Sequence, residues 1–120
     1  MWGGGSDYYV TPFAARYGLW ASTARETLRG VYGRQPFGTA ESVDVHAALR
    51  SYTASNARLL FLEDRIGTLE VGKDADVAVW DRDLYSAPSA ALKELHCELT
   101  MIAGTIRYRA STSPVQLRGD

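Results

Sequence analysis

Two histidines, one cysteine and a scatter of carboxylates are the side chains in this sequence that could bind a metal or attack a substrate. His46 and His96 stand far apart, and a zinc pair on one helix needs its second histidine four residues on, where this chain has Arg50. Both are expected to be structural or solvent-exposed. Cys97 has no second cysteine to pair with, so a buried, inert thiol is expected rather than a nucleophile. Asp7, in Gly5-Ser6-Asp7, could serve as a ligand or base. An aspartate after glycines more commonly closes a turn by accepting nearby backbone N–H groups. Lys73, Asp74 and Asp76 fall in a Gly72-Lys73-Asp74-Ala75-Asp76 turn, where Asp76 is expected to bond local backbone.

These residues need elements to position them. Met1 to Pro12 carries three consecutive glycines, a composition for a strand end opening into a loop where backbone passes close to something. Phe13, Tyr17, Trp20, Ala24 and Leu28 recur at helical spacing, with Gly30 as the stop. Residues 31–40, with Gly33, Pro36 and Gly38, form an irregular connection. A second helix is expected from an N-cap at Ser42, with Asp44 in its first turn and Val45, Leu49, Tyr52, Asn56 and Leu60 facing inward. If buried, Leu49 and Leu60 would each cost about 2–5 kcal/mol on truncation to alanine.

The period then changes. Ile66 to Val71 alternates, Gly72-Lys73-Asp74 turns, and Val77 to Trp80 is an apolar run, which together predict a hairpin-like β unit. Leu84 to Glu94 is loop with at most one helical turn. Leu99–Ile102 and Thr105–Tyr108 predict two strands joined across Ala103-Gly104. The order, two helices followed by a small β unit, implies an α+β fold.

The 120 residues suffice for one domain but not for a (β/α)8 barrel, which takes about 250. Apolar residues at 46% and charged residues at 22% are ordinary globular usage. Thirteen basic against 14 acidic residues give a net charge of −1, which offers no pull toward nucleic acid or an anionic membrane. No stretch predicts a secretory leader or a membrane span. With a single cysteine, a cytoplasmic location is expected. The scattered tyrosines form no stacking ladder for a nucleic-acid strand.

Three stretches in order carry a resemblance: GSDYYVTPF at 5–13, AALRSYTASNARLLFLEDRIGTLEVGKDADVAVWD at 47–81, and LTMIAGTIRYR at 99–109. Together they resemble the C-terminal portion of the amidohydrolase superfamily, in the amidohydrolase family 3 branch that hydrolyses non-peptide C–N bonds. GTLEVGKDADVAVWD is the most specific element. The resemblance implies a distorted metal-binding barrel beside a small composite β-sandwich. Residues 1–64 would then be the end of the barrel, 65–110 the C-terminal sandwich strands, and 111–120 a flexible tail.

By the same resemblance, Asp7 matches the aspartate at the end of the eighth barrel strand, a metal ligand and the general base for the attacking water. The implied cofactor is a divalent metal, zinc first, held in the parent enzyme with histidines that have no counterpart here. The chain alone is accordingly expected to hold no metal and to be inactive, with a small amide-type substrate belonging to the full-length parent. Tyr8-Tyr9-Val10 departs from the commoner aromatic-Pro continuation, so specificity is not assigned. Val77, Val79, Leu99, Met101, Ile102 and Ile106 would lack family pairing partners, which implies a homodimer or higher homo-oligomer. A non-catalytic oligomerisation or protein-interaction domain derived from that fold is the alternative.

Overall fold

The computed structural model describes residues 1–8, 10–30 and 34–116. Tyr9, residues 31–33 of the irregular connection and residues 117–120 of the tail lie outside the described residues. Among the described residues, three α-helices precede a three-stranded antiparallel sheet, so they fold as α+β and not as a closed barrel.

Helix α1 spans Ala15–Ala24 and buries Leu19, Trp20 and Thr23. The helical stripe expected from Phe13 to Leu28 is longer than the helix, and both of its ends are exposed. The Ser22 and Thr23 hydroxyls turn back onto the carbonyls of Gly18 and Leu19, at 2.8 and 2.9 Å, bonds that weaken helix continuation. Arg25 then enters the left-handed region at φ 56°, and its N–H bonds the Ala21 carbonyl. The stop is therefore Arg25, not Gly30.

The second predicted helix is two. Asp44, rather than Ser42, caps α2 (Val45–Tyr52), its Oδ1 accepting the Ala47 N–H at 2.7 Å. Thr53, at φ −127° and ψ −99°, breaks the chain before α3 (Ala54–Leu59), its hydroxyl donating to the Leu49 carbonyl at 2.8 Å. A periodicity carried across that break lands on the wrong face. The buried positions are Ala48, Ser51 and Ala57, while Leu49 and Tyr52 are half-buried and Leu60 is 64% exposed. The cost of Leu60→Ala accordingly falls from the core range to that of a surface change, within about 0.5 kcal/mol.

Helix α3 ends in a Schellman motif: the Phe61 N–H bonds the Arg58 carbonyl at 3.2 Å and the Leu62 N–H bonds that of Ala57 at 2.8 Å. Phe61 holds the left-handed position, φ 58°, with its ring 89% exposed. Glycine avoids the Cβ penalty of about 1–2 kcal/mol there and gives back part of the gain as chain entropy. Phe61→Gly is therefore expected to stabilise the chain by roughly 0.5–1 kcal/mol in urea denaturation. A net loss would show that the ring makes contacts the fold needs.

The alternating stretch Ile66 to Val71 is not a strand. It folds back on α3 instead: the Arg65 and Ile66 N–H groups bond the Leu62 carbonyl, and Gly67, at φ 94°, sits against Ala54 and Ala57. Lys73 closes the loop on Thr68 at 2.7 Å and Glu70 at 3.2 Å. Local capping thus outweighs alternation, and Leu69 and Val71 point to solvent.

The sheet comprises β1 (Val77–Trp80), β2 (Cys97–Ile102) and β3 (Thr105–Arg109), in the order β1-β2-β3. Val79 opposes Leu99 and Met101 opposes Ile106, with register shifts at Val79/Trp80 and Thr100/Met101. The β2–β3 hairpin turns through Ala103 and Gly104, both at positive φ, the signature of a type I′ turn that suits strand twist. Asp76 Oδ1 accepts the Ala103 N–H at 2.8 Å, so its backbone partner lies across the sheet and not in its own turn.

Trp20, Leu92 and Leu95 form the central core, with Tyr17, Val45, Trp80 and Leu84 packed around them. Leu92 comes from a 3-10 segment, Ser89–Glu94, that lies along α1. Arg16 Nε donates to the Lys93 carbonyl at 3.0 Å, and the Lys93 ammonium sits 4.8 Å from the Trp20 ring centre. One core therefore joins helices and sheet.

Candidate functional site

Asp7 stands at the turn that follows the irregular segment 1–6. Asp7 and Tyr8 both have positive φ, and the Ser6 carbonyl ties the turn by accepting the Thr11 N–H at 3.1 Å and the Thr11 hydroxyl at 2.6 Å. The Asp7 carboxylate is exposed and makes no hydrogen bond among the described residues. A non-glycine pair in the left-handed region costs free energy, and such conformations concentrate at functional loops.

The glycines ahead of Asp7 have a steric reason. The Gly4 N–H bonds the Ser51 carbonyl at 2.9 Å, and the Gly4 carbonyl accepts from Asn56 Nδ2 at 2.9 Å. A Cβ at Gly4 would strike the Tyr52 ring, and one at Gly18 of α1 would strike its hydroxyl. Tyr52 is thus clamped between two glycines, and burial raises its pKa above 10.0. Gly18→Ala is expected to cost about 1–3 kcal/mol by overpacking. Tyr52→Ala should remove most of that penalty in a double-mutant cycle, and additive losses would show that the clamp does not exist.

Beside this strap lies a cleft of about 600 Å³ whose walls include Ser6, Pro12, Tyr17, Trp20, Arg25 and Tyr52. Residue patterns do not indicate it. The available signal is the combination of the glycine run with Gly18 inside a helix.

The other polar candidates are not brought to Asp7. His46 is exposed on α2, with Nδ1 3.0 Å from the Tyr85 hydroxyl. His96 pairs with Asp81: its backbone N–H donates to Oδ1 at 3.0 Å and its Nδ1 lies 3.5 Å from Oδ2. Cys97 is half-buried, with Sγ 3.3 Å from the Thr100 hydroxyl and 3.4 Å from the Leu99 carbonyl. Among the described residues, no three His, Cys, Asp or Glu side chains are grouped to hold a metal. No described helix is long and apolar enough to cross a membrane.

The His96 backbone N–H, aided by Arg82 at 3.1 Å, holds the Asp81 carboxyl below its ordinary 3.8. A depressed carboxyl stabilises the fold fully above its unfolded value, and that contribution disappears as pH falls through the folded one. Asp81→Asn should therefore flatten the acid limb of thermal stability below about pH 4. An unchanged limb in melts across that range would refute the role.

A family model described as the amidohydrolase family matches residues 1–108. An N-substituted formamide deformylase of Arthrobacter pascens is 32% identical over 108 residues, covering 90% of this chain and 19% of that protein. A 5-methylthioadenosine/S-adenosylhomocysteine deaminase of Desulforudis audaxviator is 69% identical over 32 residues, 27% of this chain and 7% of the deaminase. The crystal structure of an amidohydrolase from Thermotoga maritima is 31% identical, with a TM-score of 0.49 over 59% of this chain and 17% of that one. The chain spans about a fifth of the length of the curated relatives that match along most of it. With the family match running from the glycine strap into β3, the chain belongs to the amidohydrolase family.

Proposed function

We propose that the chain is the C-terminal portion of a metal-dependent amidohydrolase that hydrolyses non-peptide C–N bonds of small amide-type substrates. The observation that supports this best is the family match over residues 1–108 together with an exposed Asp7 carboxylate, without a hydrogen bond among the described residues, held on a strained turn. A divalent metal, zinc first, is the implied cofactor, and it would activate the attacking water. The residues described here do not form its site, because catalytic zinc takes about three protein ligands and Asp7 supplies one. Asp7 brings a carboxylate that can accept a proton. The remaining ligands belong to polypeptide outside these 120 residues, in a reducing, cytoplasmic setting.

A chimaera tests this reading. Residues 1–108 would replace the matched 108-residue segment of the Arthrobacter pascens deformylase. The chimaera is expected to bind metal and cleave an N-substituted formamide, while the 120-residue chain alone does neither. A folded, metallated chimaera without turnover would argue against it.

A second reading, a non-catalytic association domain, is favoured by the sheet's two outer strands, β1 and β3, and by the consecutive exposed run Leu59 to Leu62. It calls for a homodimer or higher homo-oligomer of the purified chain. Light scattering across a hundredfold dilution decides it, a monomer throughout counting against it.

A further inference from the structure

We propose that Asn56 is a positioning residue for Asp7: by holding the Gly4 carbonyl, it fixes where the carboxylate of the proposed base stands. The inference rests on the reading above, which gives Asp7 its role, and adds to it the side chain through which α3 serves that role.

The glycine strap is fastened to the helices at Gly4. Asn56 Nδ2 donates to the Gly4 carbonyl at 2.9 Å, and the Gly4 N–H donates to the Ser51 carbonyl at 2.9 Å. A carbonyl can only accept, so the orientation of the Asn56 amide follows from its partner. The break at Thr53 makes both bonds available. Ser51 lies in the last turn of α2, where carbonyls have no partner within the helix, and Asn56 lies in α3 just beyond the break. Gly3 passes so close to Asn56 that a Cβ there would overlap its Oδ1. The amide is therefore held against the strap by packing as well as by its bond.

Asp7 is near this anchor along the chain, since three residues reach at most about 10–11 Å even when fully extended. Of the two residues between, Gly5 is exposed, and a Cβ on it would meet nothing within 4 Å among the described residues, so packing does not hold the link. The turn itself is closed by the Ser6 carbonyl on Thr11, and the Asp7 carbonyl accepts the Val10 N–H at 3.3 Å. Those bonds set the shape of the turn and not its place. Its place comes from Gly4, and hence from Asn56. A base must stand within hydrogen-bond reach of the proton it takes, and a displacement of about 1 Å can cost about 10²-fold in rate.

The first measurement uses the 120-residue chain labelled with ¹⁵N. The Asp7 backbone order parameter is expected near the rigid value of about 0.85 and should fall to about 0.6 in Asn56→Ala, with amide exchange at Gly4 about tenfold faster. Asn56→Asp, which keeps the shape but at neutral pH has no N–H to donate, should do the same. Val79→Ala, a change in the sheet, should leave Asp7 unmoved. An Asp7 already flexible in the parent chain, unchanged in the Asn56 variants, or loosened equally by Val79→Ala would overturn the inference. The second measurement uses the chimaera described above. Asn56→Ala is expected to lower kcat about tenfold or more with KM within about twofold, and to cost less than about twofold further once Asp7→Asn is present. Losses that multiply independently would make Asn56 merely structural and overturn the inference. An active chimaera in which Asp7→Asn costs turnover and Asn56→Ala does not overturns the positioning alone, whereas one in which neither costs turnover overturns the role of Asp7 with it. The ¹⁵N measurement decides the tie whether or not the chimaera turns over.

Discussion

Trp20→Ala is expected to lower the unfolding free energy by about 3–5 kcal/mol, the range for removing a buried aromatic side chain. Trp20 is 2% exposed and packs on Leu92 and Leu95, which are 1% and 0% exposed. Its loss would leave a cavity bordered on one side by α1 and on the other by the 3-10 segment Ser89–Glu94, and neither can collapse freely. The segment is tied to α1 by the Arg16–Lys93 bond, and α1 is tied to the α2 side by the Val43 N–H on the Ser22 carbonyl at 3.1 Å. A domain is stable by only about 5–15 kcal/mol, so a large share of the total rests on this one indole. Urea denaturation of the purified variant is the measurement. A loss below about 1 kcal/mol would show that the helices and the sheet do not share a core.

In the chimaera with the Arthrobacter pascens deformylase, Asp7→Asn is expected to cut turnover by about 10²–10⁴-fold, the range for losing a general base. Asparagine keeps the size of the side chain and tolerates the left-handed conformation that Asp7 occupies, so the turn should persist. What it loses is the ability to accept a proton. Metal content should be measured with the rate, because a carboxylate ligand contributes to both. A variant with full metal and a rate within about twofold of the parent chimaera would remove Asp7 from the reaction.

The sheet was more legible in the sequence than the helices, for a physical reason. The β2–β3 hairpin declares itself through two apolar runs around Ala103-Gly104, and nothing tertiary competes with so short a connection. The helix faces depend on where a helix breaks. Thr53 disguises that break, because a side-chain bond to the Leu49 carbonyl leaves no glycine or proline as a marker. Ile66 to Val71 shows the converse, an alternating pattern that finds no strand partner and is taken up by the end of α3. Asp7 could be singled out only through the resemblance, since a lone carboxylate after glycines has the same local sequence whether it closes a turn or faces solvent. The cleft was hidden because Tyr52, which separates its glycine walls, reads as one more residue on an apolar helix face.

The bond from Arg16 to the Lys93 carbonyl spans 77 residues of chain, and the core it fastens has a kinetic consequence. Closing a loop of that length costs roughly 4 kcal/mol of chain entropy before any contact repays it. The β2–β3 hairpin and the cap of α2 close over a few residues and can form in microseconds. The docking of α1 on the 3-10 segment is therefore the long-range step of assembly. Without that step Leu92, Leu95 and Trp20 lack their mutual cover, and exposed apolar surface of this kind favours association during refolding.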